Sequence, residues 1–295
     1  MANLRDVRLR MRAIRQTLQV TKAMNLISTA KLRKGRRFLE DTKPFFTRIQ
    51  KSMYDILSGA GKVDSDFFNR AGRANSYHSA VIVVTSDKGL AGGYNANVFR
   101  QVSELCERVK NPLLILIGSI GYRYFIHSPY LILENFSFRS RMPEMKNAKE
   151  ISEYVISQYL WGMFDEVHIV YTHMYSTIRL LPAERQILPL DARKMQEEFE
   201  KTGEQKREEL HFEFLPSKKD VFDALVPLYI RGIIYGSLVE SYVSEQSARM
   251  SAMDEASKSA EEMLDGLQLN YNRTRQAGIT QEMSEIVGGS AALSE

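Results

Sequence analysis

Stepping alternately by three and four from Leu4 reaches Val7, Met11, Ile14, Leu18, Thr21, Asn25, Ser28 and Leu32. That spacing keeps every one of them on a single stripe of a helix. The same stepping from Gln246 reaches Met250, Met253, Ser257, Ala260, Leu264, Leu267, Tyr271, Thr274 and Gly278. Two seams of one period, at opposite ends of a 295-residue chain, constrain the fold more than any other feature. The first predicts a helix from about residue 3 to the DTKPFF segment, ~60 Å long at ~1.5 Å per residue, with a kink or restart at Pro44. The second predicts a helix from about 220 to 287, ~100 Å long, which Gly288 and Gly289 stop. No single domain of this size wraps both ends of such a helix. The economical arrangement is that the two helices wind around each other antiparallel, with Met24 near Arg249 and Leu4 near Leu267.

Charge agrees with that pairing. Residues 1–40 hold eleven Lys and Arg against Asp6 and Glu40, whereas residues 237–265 hold seven acids against Arg249 and Lys258. An Arg-rich start is also compatible with an organellar presequence or a nucleic-acid contact. The helical pattern continues through TKAMNLISTAKL without a cleavage-like break, and the opposed charges favour pairing within the chain. Exposed pairs contribute only tenths of a kcal/mol each, so charge selects partner and register while the apolar seam supplies stability.

Between the helices the texture changes. SAVIVVTSD (79–87), PLLILIG (112–118) and EVHIVYTHM (166–174) read as short buried strands, and 95–110 and 147–161 as helices between them. Such alternation predicts an α/β fold: a globular Rossmann-like domain with a mostly parallel sheet, joined to the coiled coil of the N- and C-terminal helices. RQILPL (185–190) can add a strand, and 191–219 reads as a charged loop and edge. The expected boundaries are 1–57 for the first helix, 75–195 for the globular domain, 196–219 for the loop and 220–290 for the last helix. No window approaches the ~18 consecutive apolar residues of a membrane span, so direct membrane insertion is not expected. One cysteine, Cys106, excludes an intrachain disulfide and fits a reducing compartment as a small packed residue.

TSDKGLAGGYNANV (85–98) follows a strand and precedes a helix, the place where βαβ folds hold ligands. Gly89, Gly92 and Gly93 could bring amides to a phosphate, but neither a Walker nor a dinucleotide fingerprint is present. A structural turn is the favoured reading, with a nucleotide-binding α/β enzyme using residues 86–95 as the alternative. The five histidines lack metal-ligand spacing, and no nucleophile lies beside a base. No catalytic residue, cofactor or metal is expected.

TKAMNLISTAKLRK (21–34), SEQSARMSAMDEAS (244–257) and YNRTRQAGITQEMSEIVGG (271–289) resemble the signature segments of the gamma subunit of F-type ATP synthase, bacterial type. SDKGLAGGYNANV is similar to that family's central glycine loop, and the resemblance is collinear over almost the whole chain. It implies a non-catalytic rotor shaft inserted into a threefold ring of alpha and beta subunits, whose globular foot rests on a membrane rotor c-ring beside an epsilon-type subunit. Location is then peripheral, on the cytoplasmic face of the bacterial cell membrane, with no nucleic-acid partner. A basic coiled-coil nucleic-acid-binding protein is the other alternative. Carried onto this chain, the partner contacts implied are Lys22, Met24, Arg249, Arg275, Gln276 and Thr280, while Gly89, Gly92 and Gly93 remain structural.

Overall fold

A computed structural model describes residues 4–58, 63–68, 77–138, 142–177, 179–200 and 214–292. The elements in chain order are α1 (Leu4–Ser58), β1 (Ser79–Val84), α2 (Tyr94–Arg108), β2 (Pro112–Ile117), α3 (Ser119–Phe125), β3 (Leu131–Phe136), α4 (Met145–Trp161), β4 (Glu166–Met174), β5 (Leu180–Leu188), α5 (Ala192–Glu200) and α6 (Lys218–Ala292). Contacts divide the chain into two units, Ala30–Ala248 and Met1–Thr29 with Arg249–Glu295.

The larger unit is built on a five-stranded sheet of order β3-β2-β1-β4-β5. β1 pairs parallel with β2 and β4, β2 pairs parallel with β3, and β5 closes the edge antiparallel to β4. All six residues of β1 are buried, as expected of a central strand covered on both faces. α2 turns Val98, Val102, Leu105 and Cys106 onto Val81, Val83, Leu114 and Leu116. Burying each of the larger side chains contributes roughly 1.5–3 kcal/mol. α4 is fixed at both ends. The Glu144 N–H donates to Asn147 Oδ1 at 2.8 Å, and Gly162 stops the helix in the left-handed region at φ 81°.

α1 and α6 pack closely within this unit because glycine sits where they meet. A methyl group on Gly232 would overlap the Phe46 ring, and one on Gly35 would lie 2.7 Å from Val243. Phe38 and Phe46 meet the Tyr235 ring at centroid distances of 6.2 and 6.0 Å. That packing accounts for a departure from the sequence expectation: α1 continues through Pro44 as one helix instead of restarting there. An interior proline costs about 3 kcal/mol, which the contacts of half-buried Phe46 with Tyr235 and at Gly232 offset in part. α6 likewise runs past Gly288 and Gly289 to Ala292. Its richest 18-residue window reaches a mean hydropathy of 1.3 and is 56% buried, the composition of a core helix as much as of a membrane span.

Three further elements depart from the sequence reading. β3 and α3 occupy a stretch assigned to neither strand nor helix, and α5 forms where a loop was expected. The rest of that loop, residues 201–213, lies outside the described residues. β5 is longer than RQILPL, beginning at Leu180.

Gly118 tests how tightly the sheet's upper end is packed, since φ is 98° and a methyl group there would overlap the Thr85 carbonyl. Gly118→Ala is expected to lower unfolding free energy by roughly 3 kcal/mol in a denaturant titration. Gly162→Ala, left-handed but with open space around it, should lose only about 1 kcal/mol.

Candidate functional site on the paired helices

The smaller unit consists of the first turns of α1 and the last turns of α6. Along α1 the residues below the exposed class include Leu4, Val7, Met11, Ile14, Leu18, Thr21, Asn25 and Ser28, the seam read from the sequence. Along α6 they include Met250, Met253, Ser257, Ala260, Leu264, Leu267, Tyr271, Thr274 and Gly278. Where the seam turns polar it is hydrogen-bonded across the helices. Ser257 Oγ lies 2.7 Å from Thr21 Oγ1, and Asn25 Nδ2 donates to the Met250 carbonyl at 3.2 Å. Farther along, Arg8 Nη2 donates to the Tyr271 hydroxyl at 2.7 Å with its guanidinium 5.5 Å from the ring centroid.

These contacts make the pairing antiparallel: Asn25 against Met250 brings the neighbourhoods of Met24 and Arg249 together as expected, while the Leu4 end lies about a heptad from its expected place. With Thr21 level with Ser257, Leu4 comes level with Thr274 rather than Leu267. A heptad pattern cannot distinguish registers that differ by its own period. Charge contributes less than the composition suggested. Lys22 pairs with Glu261 at 2.6 Å, both side chains about half exposed. Arg10, Arg12 and Arg15, by contrast, are exposed and lie in no ion pair among the described residues. Holding two long exposed side chains together gains little over leaving both hydrated.

The candidate contact residues fall into two groups. Lys22, half-buried Met24 and buried Arg249 belong to the paired part. Arg275, Gln276 and Thr280 lie past the level of Leu4 and are all exposed, Gln276 and Thr280 on the side of α6 away from Thr274 and Gly278 and Arg275 on the flank between. Thr280 Oγ1 donates back to the Gln276 carbonyl at 3.0 Å, so its hydroxyl has only acceptor capacity to offer. The apolar residues that punctuate this polar end of the sequence form an exposed stripe: Ile279, Met283 and Ile286 are 53%, 61% and 69% exposed. Their spacing puts all three on one face. Thr21, Asn25 and Tyr271 make their bonds as seam positions, whereas Arg8, off the seam, was not singled out as a contact.

The loop after β1 is bonded to its own surroundings. Leu90 and Gly92 are left-handed at φ 64° and 56°, whereas Gly93 precedes α2 at φ −81°. Asp87 Oδ1 accepts from the Ser119 N–H at 3.0 Å and its hydroxyl at 3.1 Å. Asn95 Oδ1 accepts the Ser86 N–H at 3.1 Å, and Ser86 Oγ donates to the Lys88 carbonyl at 2.9 Å. A carboxylate of the chain thus already occupies the start of α3, where an outside anion would compete with it.

Elsewhere, His168 is buried between Glu166 and Glu184, with Nε2 3.5 Å from one carboxylate and Nδ1 3.7 Å from the other. The carboxylates lie on opposite sides of the ring. Among the described residues no three His, Cys, Asp or Glu side chains converge on a metal site. Burial pushes the Cys106 thiol up to about 12, which leaves it protonated and inert at neutral pH.

The family model described as ATP synthase matches residues 3–293. The ATP synthase gamma chain of Ruminiclostridium cellulolyticum is 42% identical over 292 residues, 99% of each chain. That of Acetivibrio thermocellus is 40% identical over 294 residues, 99% of this chain and all of the relative. The chain belongs to the ATP synthase gamma-chain family. A solved mitochondrial ATP synthase of Euglena gracilis, comprising OSCP, F1 and c-ring, contains a chain of the same fold at TM-score 0.68 and 18% identity, covering 98% of this chain and 94% of that one. The central stalk and c-ring structure from Tetrahymena thermophila matches at TM-score 0.58 and 23% identity over 81% of this chain and 99% of that one.

Gamma chains are subunits of ATP synthase without catalytic residues of their own, and the matches lend no support to a nucleic-acid-binding protein or a nucleotide-dependent enzyme. In this gamma-chain fold the observed register makes a direct prediction. With Cys106 replaced, Thr21→Cys with Ser257→Cys should cross-link on mild oxidation, and Leu4→Cys with Leu267→Cys should not. In the loop, Gly92→Ala should cost about 1 kcal/mol for its positive φ, while Gly89→Ala, which meets open space, should stay within about 0.5 kcal/mol of the parent in thermal unfolding.

Proposed function

We propose that the chain is the central rotor shaft of a bacterial rotary ATP synthase, coupling ion flow through a membrane ring to ATP synthesis or hydrolysis in a ring of alpha and beta subunits. The observation that carries this reading is the stretch of α6 beyond the level of Leu4. A solvent-facing helix with an apolar stripe of Ile279, Met283 and Ile286 beside Arg275 and Gln276 has the surface of a contact, not of a solvated end.

The stripe supplies non-directional contact to a surrounding collar. Arg275 and Gln276 supply directed bonds that engage one beta subunit at a time, Arg275 through a forked donor matched to a carboxylate. A charge-assisted bond is worth ~1.5–3 kcal/mol, enough to bias one ring state over another and weak enough to break at each step. Lys22, Met24 and Arg249 hold the paired part in register beneath that contact. In this reading the foot rests on a c-ring beside an epsilon-type subunit, and the chain is peripheral on the cytoplasmic face of the cell membrane. A structural role for Gly89, Gly92 and Gly93 belongs to the same reading, supported by the loop's internal bonding.

Co-purification with nucleotide-binding ring subunits whose ATPase activity depends on this chain tests the assignment. Salt-sensitive binding to DNA without such a ring would contradict it. Within the complex, Arg275→Ala with Gln276→Ala is expected to slow ATP turnover several-fold while leaving thermal unfolding of the purified chain unchanged. Parent-like turnover would place the grip elsewhere on α6.

A further inference from the structure

β4 outlasts the strand beside it. Its pairing with β1 ends at Val170 opposite Val83, while its pairing with β5 runs on to Met174 opposite Leu180. From Tyr171 to Met174 one edge of β4 therefore has no strand to bond, and a buried main-chain group left unpaired carries its full desolvation penalty. α6 fills the place with side chains. The Thr172 N–H donates to Ser241 Oγ, and Ser244 Oγ donates to the Thr172 carbonyl, each at 3.1 Å. Ser247 Oγ donates to the Thr177 carbonyl at 2.9 Å, and the Met174 N–H donates to the Glu240 carboxylate. Serines at 241, 244 and 247 recur every three residues and so face the hairpin as one row. The row is a surrogate strand edge made from helix side chains.

One position in this seat is charged. The Glu240 carboxyl meets His173 Nδ1, a contact that is an ion pair only when the imidazole is protonated and the carboxyl is not; their side chains are 18% and 36% exposed. Burial pushes the Glu240 carboxyl up, against the opposing pull of His173 and the Met174 N–H. The other groups around the pair are arranged as follows. On the hairpin, the Tyr175 ring meets His173 edge-on at 4.4 Å, and the Arg179 guanidinium lies 5.4 Å from the Tyr175 ring. From α1, Arg36 Nη2 donates to Thr177 Oγ1 at 2.9 Å and reaches Met174 Sδ at 3.4 Å. Across on β5, His173 is paired with Leu181, which brings no charge. On α6, Glu245 lies just over one turn from Glu240. Among the described residues His173 is the ion-pair partner of Glu240.

We propose that this seat is a proton-responsive clasp, in which Ser241, Ser244 and Ser247 hold the β4–β5 tip against α6 and protonation of Glu240, seated beside His173, sets how firmly. A carboxyl raised in the seated hairpin and ordinary in the released one binds its proton more tightly when seated. The clasp is firm below the ordinary carboxylate value of 4.5 and loosens as pH rises through the higher value of seated Glu240. The proposal lies within residues 30–248 and does not rest on the rotor assignment; in a rotor it would make the stiffness of the hairpin's seat depend on pH.

Hydrogen exchange at the Thr172 and Met174 amides of the full chain, corrected for intrinsic rates between about pH 5 and about pH 8, reads the clasp directly. Protection is expected to fall with rising pH, by about tenfold for each unit separating seated and released Glu240. Glu240→Gln, neutral throughout, should hold protection near its acid value and remove the dependence. Ser244→Ala should lower Thr172 protection at every pH and keep the dependence. A flat profile in the parent, or an unchanged dependence in Glu240→Gln, would overturn the proposal. Titration of the parent's Glu240 carboxyl by NMR needs no variant: a midpoint above 4.5 supports the clasp, and one at or below 4.5 contradicts it.

Discussion

Two long helices persist in water only when each hides a stripe against the other, because intrinsic propensity alone leaves most helices marginal. In the smaller unit that stripe changes character along its length. Val7 and Met11 are buried apolar residues near one end, while Thr21, Ser28 and Ser257 are buried hydroxyls farther along. Small polar residues let the helices approach closely and pin the register through bonds such as Ser257 to Thr21 and Asn25 to Met250. A wholly apolar seam would bury more area and specify its alignment less.

The larger unit meets a related constraint, the management of a sheet edge. β5 closes the sheet antiparallel and carries Pro182, which an outer strand tolerates because its missing N–H would face outward. Where β1 ends too soon to cover β4, serines of α6 supply the missing partners. The same helix is thus a core element through Val226, Ile230, Ile234 and Leu238, and a hydrogen-bonding edge through its small residues. Both roles depend on small side chains at the helix surface, the Ser-rich texture visible in the sequence.

The seams were legible position by position because period alone determines which residues face inward. Their alignment was legible where Met24 and Arg249 were expected to meet, beside the Asn25–Met250 bond, but not at the Leu4 end, since a repeat of seven fits equally well one repeat away. β1, β2 and β4 were legible as runs of Val, Ile and Leu, whereas β3 was missed because LILENF is an outer strand with no fully buried residue and an acid within it. Pro44 and Gly288 were read by local propensity, and packing or continuation of the helix prevailed at both. Of the contact residues, Arg275 and Gln276 stand exposed as their helix position implied, but the inward turn of the Thr280 hydroxyl depends on a rotamer no pattern reveals. The opposed charge of the two ends overstated intramolecular pairing because composition counts charges without the hydration that competes for them.

The central claim is mechanical, that the paired helices turn as a shaft inside their complex. Trp161 is 81% exposed at the end of α4 and offers a position for a tethered bead, introduced as a cysteine after replacement of Cys106. Observation of that bead on surface-fixed complex during ATP hydrolysis measures the claim directly. The account predicts rotation in one direction with evenly spaced stops, and a stationary bead on complex that is hydrolysing ATP would contradict it.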